Sequence, residues 1–441
     1  PTGSGKSITY QVPAIALGRF ALVVSPLIAL MKDQVDALTE AGVSATFLNS
    51  SLTFDERRER LAAIAAGKHR LVYVAPEGLE ASVGRLLAEV RPSLIAIDEA
   101  HCISEWGHDF RPAYRNLSSL KRKFGNVPML ALTATATPQV MRDIVQQLGM
   151  RAPTMFRGSF FRKNLRLASF VKGESLGRTT REAIASLVQA RAGESGIVYC
   201  LSRKATEETA DYLKEQGCKA ICYHAGLSPE QRSKAQDAFR NDDVDVVVAT
   251  IAFGMGIDKS NVRYVIHRDL PKSIEGYYQE IGRAGRDGAP SDCILFYSWS
   301  EVVAYDRFAD GTEDDAAADR LRSQAREMFR FAEASRCRHQ LLAEYFGETL
   351  QKCGESCDVC RGKLTLPPKL RKSRRGSEGP SRSAAVAAAL GASVDGDLLT
   401  LLKSLRLHLA RENGVPAYLI FNDATLLEMA ARKPRSEADL L

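Results

Sequence analysis

Pro1-Thr2-Gly3-Ser4-Gly5-Lys6-Ser7 is the stretch on which the fold turns. Small residues between a strand and a helix let backbone N–H groups close around a polyphosphate. A lysine at this place reaches the β- and γ-phosphates, and the hydroxyl after it ligates Mg²⁺. Gly5, Lys6 and Ser7 fill the last three places of G-x-x-x-x-G-K-[ST], with Thr2, Gly3 and Ser4 in the loop before them. The first glycine of the pattern would lie one residue before Pro1, so the chain reads as a fragment that starts inside its motif without an initiator Met.

Working outward, short apolar, β-branched runs recur with amphipathic stretches between them. Ala21–Ser25, Leu71–Ala75, Leu94–Asp98 and Met129–Ala134 form one series. Ile197–Cys200, Ala220–Tyr223, Val244–Thr250, Tyr264–His267 and Ile294–Tyr297 form a second. Continuous apolar strands alternating with helices predict parallel sheets covered on both faces. Two such series, separated by Arg151–Gly173, predict two α/β domains in tandem, over 1–155 and 156–300. Each series carries its polar signature residues just after a strand, where an open sheet presents its ligand crevice. From about residue 300 the pattern turns helical, to 363.

The composition is that of a soluble globular protein of 441 residues, 45% hydrophobic and 26% charged, with a net charge of +7. The charge is compatible with a polyanionic partner without requiring one. No apolar run approaches the ~18 residues of a membrane span. Cys102, Cys200, Cys218, Cys222 and Cys293 are scattered, as expected of reduced thiols in a cytoplasmic protein. Cys337, Cys353, Cys357 and Cys360 gather as C-x15-C-x3-C-x2-C. Four thiols so spaced fit a closed tetrahedral Zn²⁺ site, a disulfide pair being the alternative.

Asp98-Glu99-Ala100-His101 follows a buried strand about one sheet's length after the phosphate loop. There Asp98 can hold the Mg²⁺ shell and Glu99 can orient and deprotonate the attacking water. Gln279-Glu280-Ile281-Gly282-Arg283-Ala284-Gly285-Arg286-Asp287 places two arginines three apart, which predicts a shared helix face. They would stabilise charge on the γ-phosphate, a surface salt-bridge helix being the alternative. Trp106, His108, Phe110 and Arg111 crowd the stretch right after Asp98–His101. Aromatic faces there can stack on unpaired bases, at roughly 1–3 kcal/mol per base, or plug a domain interface.

With these residues in view, the chain resembles the RecQ family of superfamily 2 DNA helicases over nearly its whole length. Val23–Gln34 is similar to motif Ia, whose Ser25, Pro26 and Leu27 the resemblance places on the DNA backbone. Asp98–His101 resembles motif II, Thr133-Ala134-Thr135-Ala136 motif III, Ile197–Ser202 motif IV, Ala249–Lys259 motif V and Gln279–Asp287 motif VI. His101–Pro112 resembles the aromatic-rich loop that distinguishes RecQ from RNA helicases. The resemblance implies two RecA-like domains with ATP·Mg²⁺ bound between them. Lys6, Asp98, Glu99, Gln279, Arg283 and Arg286 would be catalytic, and Thr2–Ser7, Asp98, Gly254 and Asp258 would bind nucleotide. Ser25–Leu27, His101, Trp106, His108, Phe110, Arg111, Thr133, Thr135 and His224 would contact DNA or couple it to hydrolysis. For His224 a structural role stands equally open.

The cysteine cluster also resembles the RecQ zinc subdomain, with x3 where x2 is commoner. Residues 364–396, rich in Lys, Arg, Gly and Ser, read as a basic tether or a DNA-binding arm. Residues 397–441 resemble the first part of the helical HRDC domain, with Leu398, Leu401, Leu402, Leu405 and Leu409 as its apolar stripe. Too little chain separates Cys360 from Leu398 for a winged-helix domain. The expected function is ATP-dependent 3′→5′ unwinding of single-stranded and forked DNA in repair, recombination and replication. The protein would be a cytoplasmic monomer, or nuclear in a eukaryote, with single-stranded DNA-binding protein as a further partner. An RNA helicase or remodelling ATPase is one rival. A non-enzymatic DNA-binding fragment is the other, because the adenine-reading motif of the family lies upstream of the phosphate loop.

Overall fold

Ala21–Val24 (β1) buries all four of its residues, which is stable only for a strand covered on both faces. It pairs in parallel with Leu71–Val74 (β3) and Leu94–Ile97 (β4), Ala21 standing opposite both Leu71 and Leu94. Adding Ala45–Leu48 (β2) and Met129–Ala131 (β5) gives a five-stranded parallel sheet in the order β2-β3-β1-β4-β5. Alternate residues serve opposite cores. Leu22, Val24, Val72, Val74, Ile95 and Ile97 face one, whereas Ala21, Val23, Leu71, Tyr73 and Ala96 face the other.

The second sheet has six parallel strands: Leu165–Val171 (β6), Ser195–Tyr199 (β7), Ala220–Tyr223 (β8), Val246–Ala249 (β9), Val262–His267 (β10) and Ser291–Tyr297 (β11), in the order β6-β11-β10-β7-β9-β8. Its core includes Ile184, Val198, Leu213, Val248, Ile266 and Phe296. This computed structural model describes residues 5–26, 28–79, 81–107, 109–251, 253, 259–362, 366–368, 396–436 and 439. They divide into two compact units, one running to Phe160 and taking in Tyr345–Glu348, the other holding the second sheet and both helical regions.

Each of the nine expected runs overlaps a strand, Met129–Ala134 only through Met129–Ala131, and two strands lie outside them. β2 alternates half-buried and buried residues, so its apolar signal is weak. β6 corrects the reading of Arg151–Gly173 as a separator: Arg166 and Ser169 break its apolar pattern, yet it pairs with β11 over seven residues. No described helix is long and apolar enough to cross a membrane.

Helices Trp299–Asp310, Asp315–Glu333 and Arg338–Tyr345 follow the second sheet. The zinc-type module then closes the free edge of β6. Leu167 N–H donates to Ser356 O at 3.0 Å, and Ser169 N–H to Asp358 at 2.9 Å. Arg338 grips Asp358 with two N–H groups at 3.0 and 3.2 Å. An otherwise unpaired strand edge is thereby satisfied by backbone and carboxylate.

The tail comprises helices Gly396–Asn413, Ala417–Ile420 and Asp423–Arg432. Its expected apolar stripe is corrected in part: Leu398 and Leu402 pack against the tail's core. Leu401 and Leu405 are 68% and 54% exposed, and Leu399, Arg406 and Ala410 are buried instead. From this buried face Arg406 donates to Asp423 at 2.7 Å. Residues 369–395, which hold most of the expected basic tether, lie outside the described residues.

Candidate functional site

The helix Ile8–Ala16 begins directly after Gly5-Lys6-Ser7, and Thr9 Oγ1 ties back to Lys6 O at 2.6 Å. The positive dipole end of the helix thus lies beside Lys6 and Ser7, where a phosphate is expected. Thr2, Gly3, Ser4, Leu27, His108, Gly254 and Asp258 lie outside the described residues.

Asp98 leaves the C-terminal end of β4, its own N–H bonded to Val24 O at 2.8 Å. Tyr114 Oη donates to Asp98 O at 2.9 Å and the Glu99 N–H to Asp98 Oδ1 at 3.0 Å. Burial, then the adjacent Glu99 carboxylate, pushes the Asp98 carboxyl up to about 7, against the opposing pull of Lys6. A carboxylate held this way fits a divalent cation, which supplies the missing positive charge. Ser7 offers a hydroxyl from the same unit.

Glu99 occupies the left-handed region, φ 46° and ψ 45°, a conformation that costs a non-glycine residue about 1–3 kcal/mol. The Ala100 N–H donates to Leu132 O at 2.8 Å and fixes this turn to the strand end next door. Glu99 Oε2 lies 3.3 Å from His101 Nδ1, and that nitrogen is 2.9 Å from Thr133 Oγ1. Thr133 Oγ1 bonds both the N–H and the C=O of Thr135 at 3.2 Å. The candidate base therefore lies against a buried imidazole that bonds the Thr133–Ala136 turn, His101 being 2% exposed.

The aromatic stretch is anchored to the same place. Arg111 holds Asp109 through Nε and Nη2 at 3.2 and 3.0 Å and donates from Nη1 to Pro26 O at 3.1 Å. One guanidinium thus joins this stretch to the turn after β1. Trp106 is 54% exposed, and Arg115 lies over the Phe110 ring at 5.2 Å. Gly107 is required here: a Cβ would lie 2.7 Å from His101 O. Ser25, His101 and Thr135 are buried, so they can transmit or support, whereas Trp106 can touch a ligand. His224 is also buried, its Nε2 2.9 Å from Glu207.

In the second unit, Gln279 lies on the helix Ile274–Ile281. The expected shared helix face of Arg283 and Arg286 is corrected. The helix ends at Gly282, and both arginines lie in turns shaped by Gly285 (φ 56°) and Gly288 (φ 83°). Sequence reasoning missed what holds these turns. Arg162 donates to the carbonyls of Gly282, Ala284 and Gly285 at 3.0, 2.9 and 2.6 Å. Asn164 Nδ2 donates to Gly285 O and Ala289 O at 2.8 and 3.0 Å, and it leaves 2.4 Å for any Cβ on Gly285. Tyr199 Oη donates to Phe253 O at 2.9 Å and also bonds Arg283. Glu280 pairs with buried His267 at 2.8 Å.

The four clustered cysteines bring their Sγ atoms within 4.8 Å of one another. Burial opposes ionisation of Cys337, but the amides of Cys353 and Gln340 outweigh it and hold the thiol below its ordinary value. Burial and the neighbouring sulfurs raise Cys360, to about 11. Four such thiols ionise together only around a cation, and a Cys₄ shell suits Zn²⁺ in a structural role.

Family models match in the same order. One described as DEAD/DEAH box helicase covers residues 1–144, and the helicase conserved C-terminal domain covers 179–288. RecQ zinc-binding covers 299–361 and the HRDC domain 395–441. The chain is 45% identical over 365 residues to an ATP-dependent DNA helicase RecQ of Pasteurella multocida (strain Pm70), across 81% of this chain and 56% of that protein. It is 43% identical over 362 residues to an ATP-dependent DNA helicase RecQ of Bacillus subtilis (strain 168), across 82% and 60%. The chain therefore spans somewhat over half the length of these curated relatives. A solved structure of S. cerevisiae Dbp5 bound to RNA and ADP BeF3 superposes with TM-score 0.53 at 16% identity, across 74% of this chain and 87% of that one. That likeness bears on the fold: two RecA-like sheets.

Proposed function

This chain belongs to the RecQ family, and from that premise we propose that it couples ATP hydrolysis to 3′→5′ movement on single-stranded DNA and to unwinding of forked duplexes. The observation that carries the proposal is the placement of Glu99 against His101, which bonds Thr133, together with the Arg111 anchor that fixes the Trp106 stretch to Pro26. A base that stacks on the exposed indole presses on residues adjoining the candidate general base. DNA occupancy and water activation then share one set of contacts.

Lys6 binds the phosphates, and Ser7 and Asp98 would hold Mg²⁺. That cation neutralises the negative charge shared with the phosphates. Glu99 orients the attacking water and takes its proton. Gln279, Arg283 and Arg286 respond to charge on the γ-phosphate. Pro26 and Leu27 serve the DNA backbone with buried Ser25 supporting their turn, so affinity falls steeply with salt. The protein acts as a monomer on chromosomal DNA, in the cytoplasm of a bacterium or the nucleus of a eukaryote, in repair and recombination. Single-stranded DNA-binding protein is its further partner.

The test is ATP turnover with no nucleic acid, with single-stranded DNA and with RNA of equal length, then unwinding of duplexes with 3′ or 5′ tails. Stimulation by DNA over RNA and unwinding from 3′ tails are expected. Equal stimulation by RNA would assign the chain to the RNA helicases. An absence of turnover, with DNA binding intact, would leave a binding fragment.

A further inference from the structure

We propose that the tail helices brace motif VI, by sealing the Arg263–Asp287 ion pair from water and thereby holding Arg283 and Arg286 in position. The inference rests on the γ-phosphate role proposed above for those arginines. Asp287 ends motif VI, and both its carboxylate oxygens lie 2.7 Å from Arg263 Nη2. Arg263 is shared: its Nε lies 3.5 Å from Asp423 of the tail, and Asp423 accepts from Arg406 Nη1 at 2.7 Å. Two arginines and two carboxylates thus form one buried cluster, a neutral pair beside the sheet and a neutral pair in the tail, joined through Arg263 and Asp423.

Two further contacts land on the same neighbourhood. Ala289, two residues past Asp287, packs into the apolar cluster of Leu399, Leu426, Leu427 and Ala430. Lys259, just before β10, lies beneath the Tyr418 ring at 5.7 Å. The tail therefore grips the chain on both sides of Arg263. With the tail released, the Arg263–Asp287 pair faces water, where an ion pair is weak, and the 282–289 turns lose their apolar cover. Arg263 and Asp423 are positioning residues in this scheme, acting only through Asp287.

The experiment uses the full chain with two variants that loosen the tail by different routes, Asp423→Asn through charge and Leu426→Ala through packing. Hydrogen exchange is followed at 396–432 and at 283–289, and ATP turnover is measured with saturating single-stranded DNA. Both variants are expected to raise exchange in both segments about tenfold or more and to lower kcat severalfold with KM for ATP little changed. Should Asp423→Asn fail to fold, Leu426→Ala carries the test alone. Faster exchange in the tail with 283–289 unchanged overturns the brace, and so does unchanged kcat with 283–289 loosened. A tail that neither variant frees is not docked by these contacts, which also overturns it. If no form of the chain hydrolyses ATP, the functional reading fails, while exchange at 283–289 still decides whether the tail braces motif VI.

Discussion

The two sheets hold their signature turns by opposite means. At the end of β4 the contacts stay within two short motifs: Glu99 lies 3.3 Å from His101, His101 bonds Thr133, and Thr133 bonds Thr135. After the helix Ile274–Ile281 the supports come from afar. Arg162 and Asn164 reach the 282–289 carbonyls from about 120 residues away. The first turn is thus specified by two short motifs, whereas the second is a glycine-rich piece cast in a mould of other parts of the chain.

The comparison can be broken most sharply at Glu99. Glu99→Gln keeps the size of the side chain and removes the base, so ATP turnover should fall about 10³-fold with ATP binding retained. A loss under tenfold would mean that the local network is not the catalytic one. Next comes Arg162→Ala, which strips partners from three carbonyls. Turnover should drop about 10–100-fold if each lost bond weighs roughly 1 kcal/mol on the position of Arg283 and Arg286. Unchanged turnover with a lowered Tm would show that the remote cradle serves stability alone.

Thr133→Val sharpens the same contrast from the local side. It preserves shape and removes the hydroxyl that meets His101 and Thr135. DNA-stimulated hydrolysis should decline about tenfold, and more than the unstimulated rate. The smallest effect concerns pH. The Asp98 carboxyl takes a proton at about 7 in the absence of metal, so below that pH Mg²⁺ must displace a proton. The Mg²⁺ concentration needed for half-maximal turnover should rise by up to about tenfold per unit of pH below 7 and level off above it. A flat requirement between pH 5.5 and 7.5 would remove Asp98 from the metal site.

What was legible in the sequence follows the same division. The strands whose residues are all buried, such as Ala21–Val24 and Val246–Ala249, announce themselves by composition. So do the phosphate loop and Asp98-Glu99, because their chemistry needs adjacent residues. β6 was hidden because an edge strand carries polar residues such as Arg166. Arg162 and Asn164 sat unread in the same supposed separator, since a guanidinium aimed at distant carbonyls leaves no local pattern. Arg283 and Arg286 were placed on a helix by spacing alone, and the glycines at 282, 285 and 288 that end it went unweighed. Tyr199 and Asp423 lay inside quoted motifs without a role, because each acts on a partner far along the chain.

One feature of the zinc-type module reaches beyond its own fold. Its Ser356 and Asp358 occupy the outer hydrogen-bonding row of β6, one on each side of Cys357. Metal loss would unfasten that cover and leave a seven-residue strand open to any extended chain, including a second copy of itself. The cysteines would then govern solubility as much as folding, and chelation should appear as concentration-dependent light scattering before helix content is lost.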